Sequence, residues 1–291
     1  MSYKTAAPRP SDLERKLNAA PKSAEEKIEL SFREKLFSRG WLRKTLIVAA
    51  LGAIWQIYAL ILDNELLFPT LSVVAAGFWR VLVSGELLAK VGLSLAMLLS
   101  AYAIGIFVAL TLTVAAITTR IGTDFLEVVT AMLNPLAPIA LLPMALLWFG
   151  FGPPSLIFVL CHAVVWTIAL NAYNGFTGVS QTLRMVGRNY GLSGFSFVFK
   201  VLIPAAFSGI LTGLKVSWAF GWRTLIAAEL VFGVAGGKGG LGWFIYEKKQ
   251  QLDIDLVFAG LLTVILIGIL VENVIFKTIE KRTVIRWGMK Q

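Results

Sequence analysis

The chain has 291 residues, of which 57% are hydrophobic and only 15% charged. A soluble domain carries roughly 25% charged residues, so the composition excludes an ordinary globular enzyme and points to a polytopic membrane protein. The net charge of +10 is not a nucleic-acid footprint, because the positive residues gather at the ends of apolar runs and in the first 44 residues.

Residues 1–44 read as a cytoplasmic leader. No secretory signal peptide is apparent, since the first apolar run begins too late for one. Ser11-Asp-Leu-Glu14 and Ser23-Ala-Glu-Glu26 are capping-box patterns. After them, Ile28, Phe32, Leu36 and Phe37 recur at helical spacing between Lys and Arg, which predicts an interfacial helix on the inner leaflet. A span needs about 20 mainly apolar residues. Six stretches qualify: 45–62, 92–117, 124–149, 155–173, 207–231 and 254–276. Residues 69–84 are apolar but short and carry Arg80, so they read as a second interfacial helix. The third stretch holds Pro135, Pro138 and Pro143, which predict a kinked or split span. Residues 174–206 form a loop with three basic residues and no acidic one, and residues 277–291 form a tail. The expected fold class is an all-α polytopic membrane protein with about six transmembrane helices.

Loops facing the cytoplasm are enriched in Lys and Arg. With both termini inside, the inner segments hold 20 of the 27 Lys and Arg, the outer segments hold 5, and Lys215 and Arg223 lie within the fifth span. Without the leader the count is still 9 to 5. The distribution supports six spans with both ends cytoplasmic.

The sequence offers little for catalysis. One cysteine, Cys161, excludes an intramolecular disulfide, and one histidine, His162, leaves little for imidazole chemistry. Gly236-Gly-Lys-Gly-Gly240 fails as a phosphate loop, because Phe232 stands at the first glycine position and Gly239 at the Ser/Thr position. No catalytic, cofactor or metal-ligating residues are expected. Intramembrane polar groups are instead the candidates for a transport path. Arg223 leads them, either as an attraction point for an anionic substrate or as a structural partner of Glu229, Glu127 or backbone carbonyls. Glu229 lies six residues on, about 600° around the helix, so the two align poorly. Trp218 and Trp222 share a face and suit core packing more than a gate. Asn134 stands beside Pro135 where the third span breaks, and His162 suits a packed helix interface or the path. Lys215 is expected to snorkel.

Between the fourth and fifth spans, Gly191, Val201, Ile203 and Pro204 stand at the spacing of Gly, nine residues, then Ile-x-Leu-Pro. This pattern resembles the cytoplasmic coupling loop of bacterial ABC-importer permeases. Met185, Val186 and Gly187 occupy the positions of that family's Glu-Ala-Ala, so the acid is replaced by Met185. Leu142-Pro-Met-Ala-Leu-Leu-Trp-Phe-Gly-Phe-Gly152, Gly221-Trp-Arg-Thr-Leu-Ile-Ala-Ala-Glu229 and Gly240-Leu-Gly-Trp243 are similar to segments of the nitrate, sulfonate, taurine and bicarbonate importer permeases. The resemblance covers roughly residues 40–285.

The resemblance implies a type I ABC-importer permease that forms the path for a small anionic solute. It implies a second permease copy as partner, two cytoplasmic ATPase subunits that carry ATP and magnesium, an extracytoplasmic substrate-binding protein, and surrounding lipid. The loop over 183–204, with Arg184, Met185, Arg188, Gly191, Leu192, Val201, Ile203 and Pro204, would dock on the ATPase as two short helices with a turn at Gly191. Pro204 would start the next helix. The competing reading is a stand-alone secondary transporter or channel. Against it stand the lack of two repeated halves and the scarcity of intramembrane carboxylates for ion coupling. A membrane enzyme lacks its catalytic cluster.

Overall fold

A computed structural model describes residues 40–232 and 239–285. The leader helix expected before residue 40, residues 236–238 of the glycine-rich loop and the tail beyond 285 lie outside the described residues. The chain forms two compact units, residues 1–54 and 55–291. In the first, the described residues belong to helix α1 (Gly40–Leu62) and leave Leu46, Ile47, Val48, Leu51 and Ile54 exposed. Such an apolar surface suits lipid or a helix partner, since all backbone groups are satisfied within the helix.

Every regular element among the described residues of the second unit is helical. Helix α2 (Leu71–Val83) is short and buries Val74, Gly77 and Val81. Helix α3 (Glu86–Thr118) is long enough to span, starting at Gly85 with φ 78. The stretch expected as the third span is two pieces at 87°. Helix α4 (Arg120–Leu133) ends before Pro135, and Pro138 forces Ala137 into extended backbone. A 3₁₀ turn (Pro138–Leu141) then leads into helix α5 (Leu142–Phe149). The paired prolines remove donors that a continuous helix would need. Gly150, at φ 74, reverses the chain into helix α6 (Pro153–Thr177), where Pro153 and Pro154 occupy first-turn positions that tolerate a missing N–H.

Helix α7 (Gln181–Asn189) follows, then helix α8 (Gly194–Phe197), a π-helical turn (Val198–Leu202) and helix α9 (Ile203–Phe232) in one helical run. Pro204, expected to start this helix, does stand in the first turn of α9, but the helical run is already under way. It lies within a run that begins at Gly194, just after the π turn, whose altered register accommodates its missing donor. Helix α10 (Leu241–Gln250) and helix α11 (Ile254–Leu270) complete the bundle. The last helix was expected to end at 276. It instead continues through a π turn (Val271–Phe276), helix α12 (Lys277–Glu280) and a second π turn (Lys281–Ile285). Five single helices and the bent pair thus give up to six spans.

Helix α6 is central, packed mainly against α3 and α9. The α6–α9 contact is nearly backbone on backbone. A Cβ placed on Gly209 would lie 2.8 Å from the Gly175 Cα, and one on Gly213 would lie 2.8 Å from the Asn171 Cβ. Gly209 and Gly213 form the small-xxx-small pattern that lets membrane helices approach closely. Gly105 does the same for α3, where an added Cβ would meet Val164 at 2.7 Å. On the other flank, α2 rests on α11: Gly77 faces Asp255, and the Arg80 guanidinium donates to Asp255 at 2.9 Å. Residues 69–84, expected as an interfacial helix, are thus anchored to a neighbouring span by a charge pair.

Candidate functional site

Two regions of the second unit combine exposed or polar surface with defined geometry. The first is the connection from α6 to α9. Ser180 caps α7, its Oγ accepting from the Leu183 N–H at 3.4 Å. Gly191 ends the α7 segment at φ 72, a left-handed conformation that an L side chain adopts at a cost, while the Leu192 N–H reaches back to the Gly187 carbonyl at 3.2 Å. Gly187 is buried: a Cβ there would lie 2.8 Å from the Phe197 ring and 3.0 Å from Val201. That close approach folds α7 against the start of the next helix. It leaves Leu183, Met185, Val186, Tyr190 (82% exposed) and Phe195 outside.

Of the residues assigned to this segment by resemblance, Met185, Arg188, Gly191 and Pro204 are exposed, while Leu192, Val201 and Ile203 are half-buried. Arg184 turns inward. Its guanidinium donates to the Phe176 carbonyl at 2.6 Å, which also accepts from the Val179 N–H, and to the Val179 carbonyl at 3.2 Å, reinforcing the turn that closes the C-terminus of α6.

The second region is a run of clefts that begins between α4 and α6 and continues along α9. Leu126, Glu127, Thr130, Asn134, Tyr173 and Asn174 line one. Asn174 also lines the next, with Asn171, Gly178, Ser208 and Thr212. Ser208 and Thr212 continue into a third with Lys215 and Glu280. Thr212 and Lys215 open into the last, about 450 Å³, with Trp222, Arg223 and Glu272. Residues shared between neighbouring clefts thus link them into one belt that carries polar side chains across largely apolar walls. The exposed stripe of α9 runs Ser208, Thr212, Val216, Ala219, Phe220 and Arg223, at helical spacing. Lys215 does not snorkel alone, because its ammonium pairs with Glu280. Arg223 pairs with no carboxylate among the described residues. Its Nε donates to the Ala219 carbonyl at 3.0 Å.

The sequence-derived path candidates separate. Asn134 and Arg223 lie at the two ends of the belt, and Trp222 lines its last cleft with its Nε1 donating to the Val264 carbonyl at 3.3 Å. Glu229 lies off the belt, fully buried. Both its oxygens accept from the Ser94 hydroxyl at 2.9 Å, and Oε2 also accepts from the Gly242 N–H at 2.7 Å. The Leu241 N–H donates to the Ser94 Oγ at 2.8 Å. A carboxylate at the N-terminus of α10 satisfies its free donors and its dipole. Gly240 is required there, since a Cβ would collide with Ser94 and the carboxylate. Around this core, Lys90 pairs with Glu247 at 3.5 Å, and Lys248 lies between Glu86 (3.8 Å) and Asp253 (4.0 Å). His162 also lies off the belt, its ring 6.3 Å from Trp166. Beside it the Cys161 thiol reaches the Ala101 carbonyl at 3.5 Å.

Residues 101–284 match the family described as the binding-protein-dependent transport system inner membrane component. The chain belongs to this family. It is 27% identical over 249 residues to SsuC of Bacillus subtilis, a protein named for aliphatic sulfonates transport, covering 85% of this chain and 88% of that one. It is 32% identical over 147 residues to the taurine transport system permease protein TauC of Escherichia coli, covering 50% and 52%. Its fold is similar to a chain of the MetNI methionine ABC transporter in an inward-facing conformation, with TM-score 0.51, 17% identity and 74% and 98% coverage. The protein is thus an ABC-importer permease subunit of the inner membrane, and the stand-alone transporter reading falls away.

Several of the permease's belt residues escaped the sequence reading. Asn171, Asn174, Ser208, Thr212 and Glu272 are single polar residues in apolar runs. Their signal was the recurrence of Ser208 and Thr212 four residues apart, on the stripe that also carries Arg223. Among the described residues, no group of three or more His, Cys, Asp or Glu is placed to hold a metal.

Proposed function

We propose that two copies of this permease form a path along the polar belt for a small anionic solute, with Arg223 as its attraction point. Two ATPase subunits dock on the α7–α8 segment, and ATP and magnesium belong to them. A binding protein delivers solute at the opposite end, and both termini face the cytoplasm. Closure of the ATPase pair presses on α7, and because the segment continues directly into α9, the belt is displaced with it. Transport follows if ATP-bound and ATP-free states favour opposite openings of the path.

The observation that carries this reading is the exposed face of Leu183, Met185, Val186, Tyr190 and Phe195, with Arg188 beside it. Apolar surface held on a rigid turn outside the spans suits a protein partner. The Lys and Arg count supports placing that turn inside.

The test is co-purification of the full chain with its candidate ATPase, followed by ATP hydrolysis in lipid with and without a binding protein. The ATPase is expected to be captured and to respond. Gly191→Val is expected to abolish capture while the spans stay folded, because nothing lies within 4 Å of an added Cβ and the burden falls on the φ 72 turn alone. Capture unchanged in that variant would remove the docking assignment.

A further inference from the structure

A groove of about 510 Å³ runs beside the C-terminal part of α3 and shares no lining residue with the clefts of the belt. Phe107 and Thr119 mark its ends on α3, and Phe176, Phe195, Phe199 and Ile203 form the opposite wall. Its side chains are apolar apart from three threonines, Thr111, Thr118 and Thr119. Each of these hydroxyls donates to the carbonyl four residues back, at 2.8, 2.8 and 3.0 Å, so none is a free donor. Phe107, Phe195 and Phe199 are nevertheless mostly exposed. From Phe107 to Thr119 the groove extends about 18 Å along the helix at 1.5 Å per residue, close to one leaflet's half of a hydrocarbon core about 30 Å thick. A cation adjoins each wall: Arg120 follows Thr119, and Lys200 follows Phe199. Both are exposed, and neither pairs with a carboxylate among the described residues, Asp124 one turn beyond Arg120 included.

We infer that this groove binds one anionic phospholipid of the leaflet at the Gly191 end, with an acyl chain along α3 and the phosphate between Arg120 and Lys200. Three properties select that occupant. A hydrocarbon chain suits a slot without free donors, whereas a peptide or a polar solute would bury unpaired groups of its own there. The slot has the length of one leaflet. The two cations meet a negative headgroup, and basic pockets between spans recognise anionic lipids in this way. The site is separate from the solute path, and its ligand is retained rather than carried. Phe195 lines the groove and also belongs to the exposed face of the α7–α8 segment, so a bound lipid flanks that segment.

The experiment strips the full-length permease of lipid in detergent. It then titrates the protein with dioleoyl phosphatidylglycerol or with the phosphatidylcholine of the same chains, and native mass spectrometry counts the lipid retained. Each basic residue near such a headgroup contributes about fivefold, so phosphatidylglycerol is expected to bind at least about tenfold more tightly. Arg120→Gln combined with Lys200→Gln should bring the two lipids to equal, weak retention. Ala115→Trp fills the groove from an exposed position and should lower retention of both. Soluble glycerol phosphate should not compete. Equal retention by the unaltered protein, or a preference that survives the double substitution, overturns the inference. So does competition by glycerol phosphate, which would leave a phosphate site without a lipid. Retention unchanged by Ala115→Trp overturns it as well, and loss of the dimeric mass in that variant would then assign the groove to a second copy. Circular dichroism checks the fold of each variant. Should Ala115→Trp unfold, the double substitution, confined to exposed side chains, decides alone.

Discussion

At the end of the permease bearing Glu229, polar groups are turned inward. A buried carboxylate holds the Ser94 hydroxyl and the N-terminus of α10, and charge pairs from Lys90 and Lys248 close over it. At the end bearing Gly191 the arrangement is reversed. The backbone is tied by caps and by the buried Gly187 contact, while the bulkiest apolar side chains stay outside. One end is finished by its own chain and the other is left to be finished by a partner. Substitutions should therefore act on folding at the first and on assembly at the second.

The largest effect is expected from Glu229→Ala. It leaves buried donors on Ser94 and Gly242 unpaired, and a loss of about 3 kcal/mol in unfolding free energy is expected from lost hydrogen bonds to a buried charge. Denaturant titration in detergent measures it, and a loss below about 1 kcal/mol would mean that the network adds little. Gly209→Leu comes next. It forces a side chain into the α6–α9 contact, and overpacking of this kind costs about 2–3 kcal/mol. The same titration reads it, with helicity by circular dichroism falling earlier on heating.

Arg184→Ala sharpens the comparison within the Gly191 end. Although the resemblance places Arg184 in the proposed docking segment, its guanidinium is used on the Phe176 and Val179 carbonyls, so about 1–2 kcal/mol of stability should be lost. Once the variant is folded, ATPase capture should be nearly unchanged. Met185→Ala should do the opposite. Exposed substitutions usually stay within about 0.5 kcal/mol in stability, yet capture of the ATPase should weaken measurably in a pull-down titration. If Met185→Ala destabilises the fold and leaves capture intact, the contrast between the two ends does not hold.

The spans were legible because lipid demands long apolar runs, and the break at Pro135 and Pro138 was legible because proline removes donors wherever it stands. Gly191 could be read as a turn for the same local reason. What escaped was tertiary. Glu229 stood out as a charge in a span, but its partner Ser94 is 135 residues away, and nothing local to either names the other. The belt escaped because Asn174, Ser208 and Thr212 are unremarkable singly and acquire meaning only when α6 and α9 set them side by side. Lys215 was read by its position near a helix end, and the helix expected to stop at 276 hid the Glu280 that meets it.

The glycine seam between α6 and α9 has a mechanical consequence. Most helix pairs touch through side chains, whose rotamers can shift and absorb a small displacement. At Gly175, Gly209 and Gly213 the backbones meet almost directly, and close-packed interiors transmit strain. With so little side chain between them, force on the connection between α6 and α9 is expected to move the two helices together, and the hydroxyls of Ser208 and Thr212 with them.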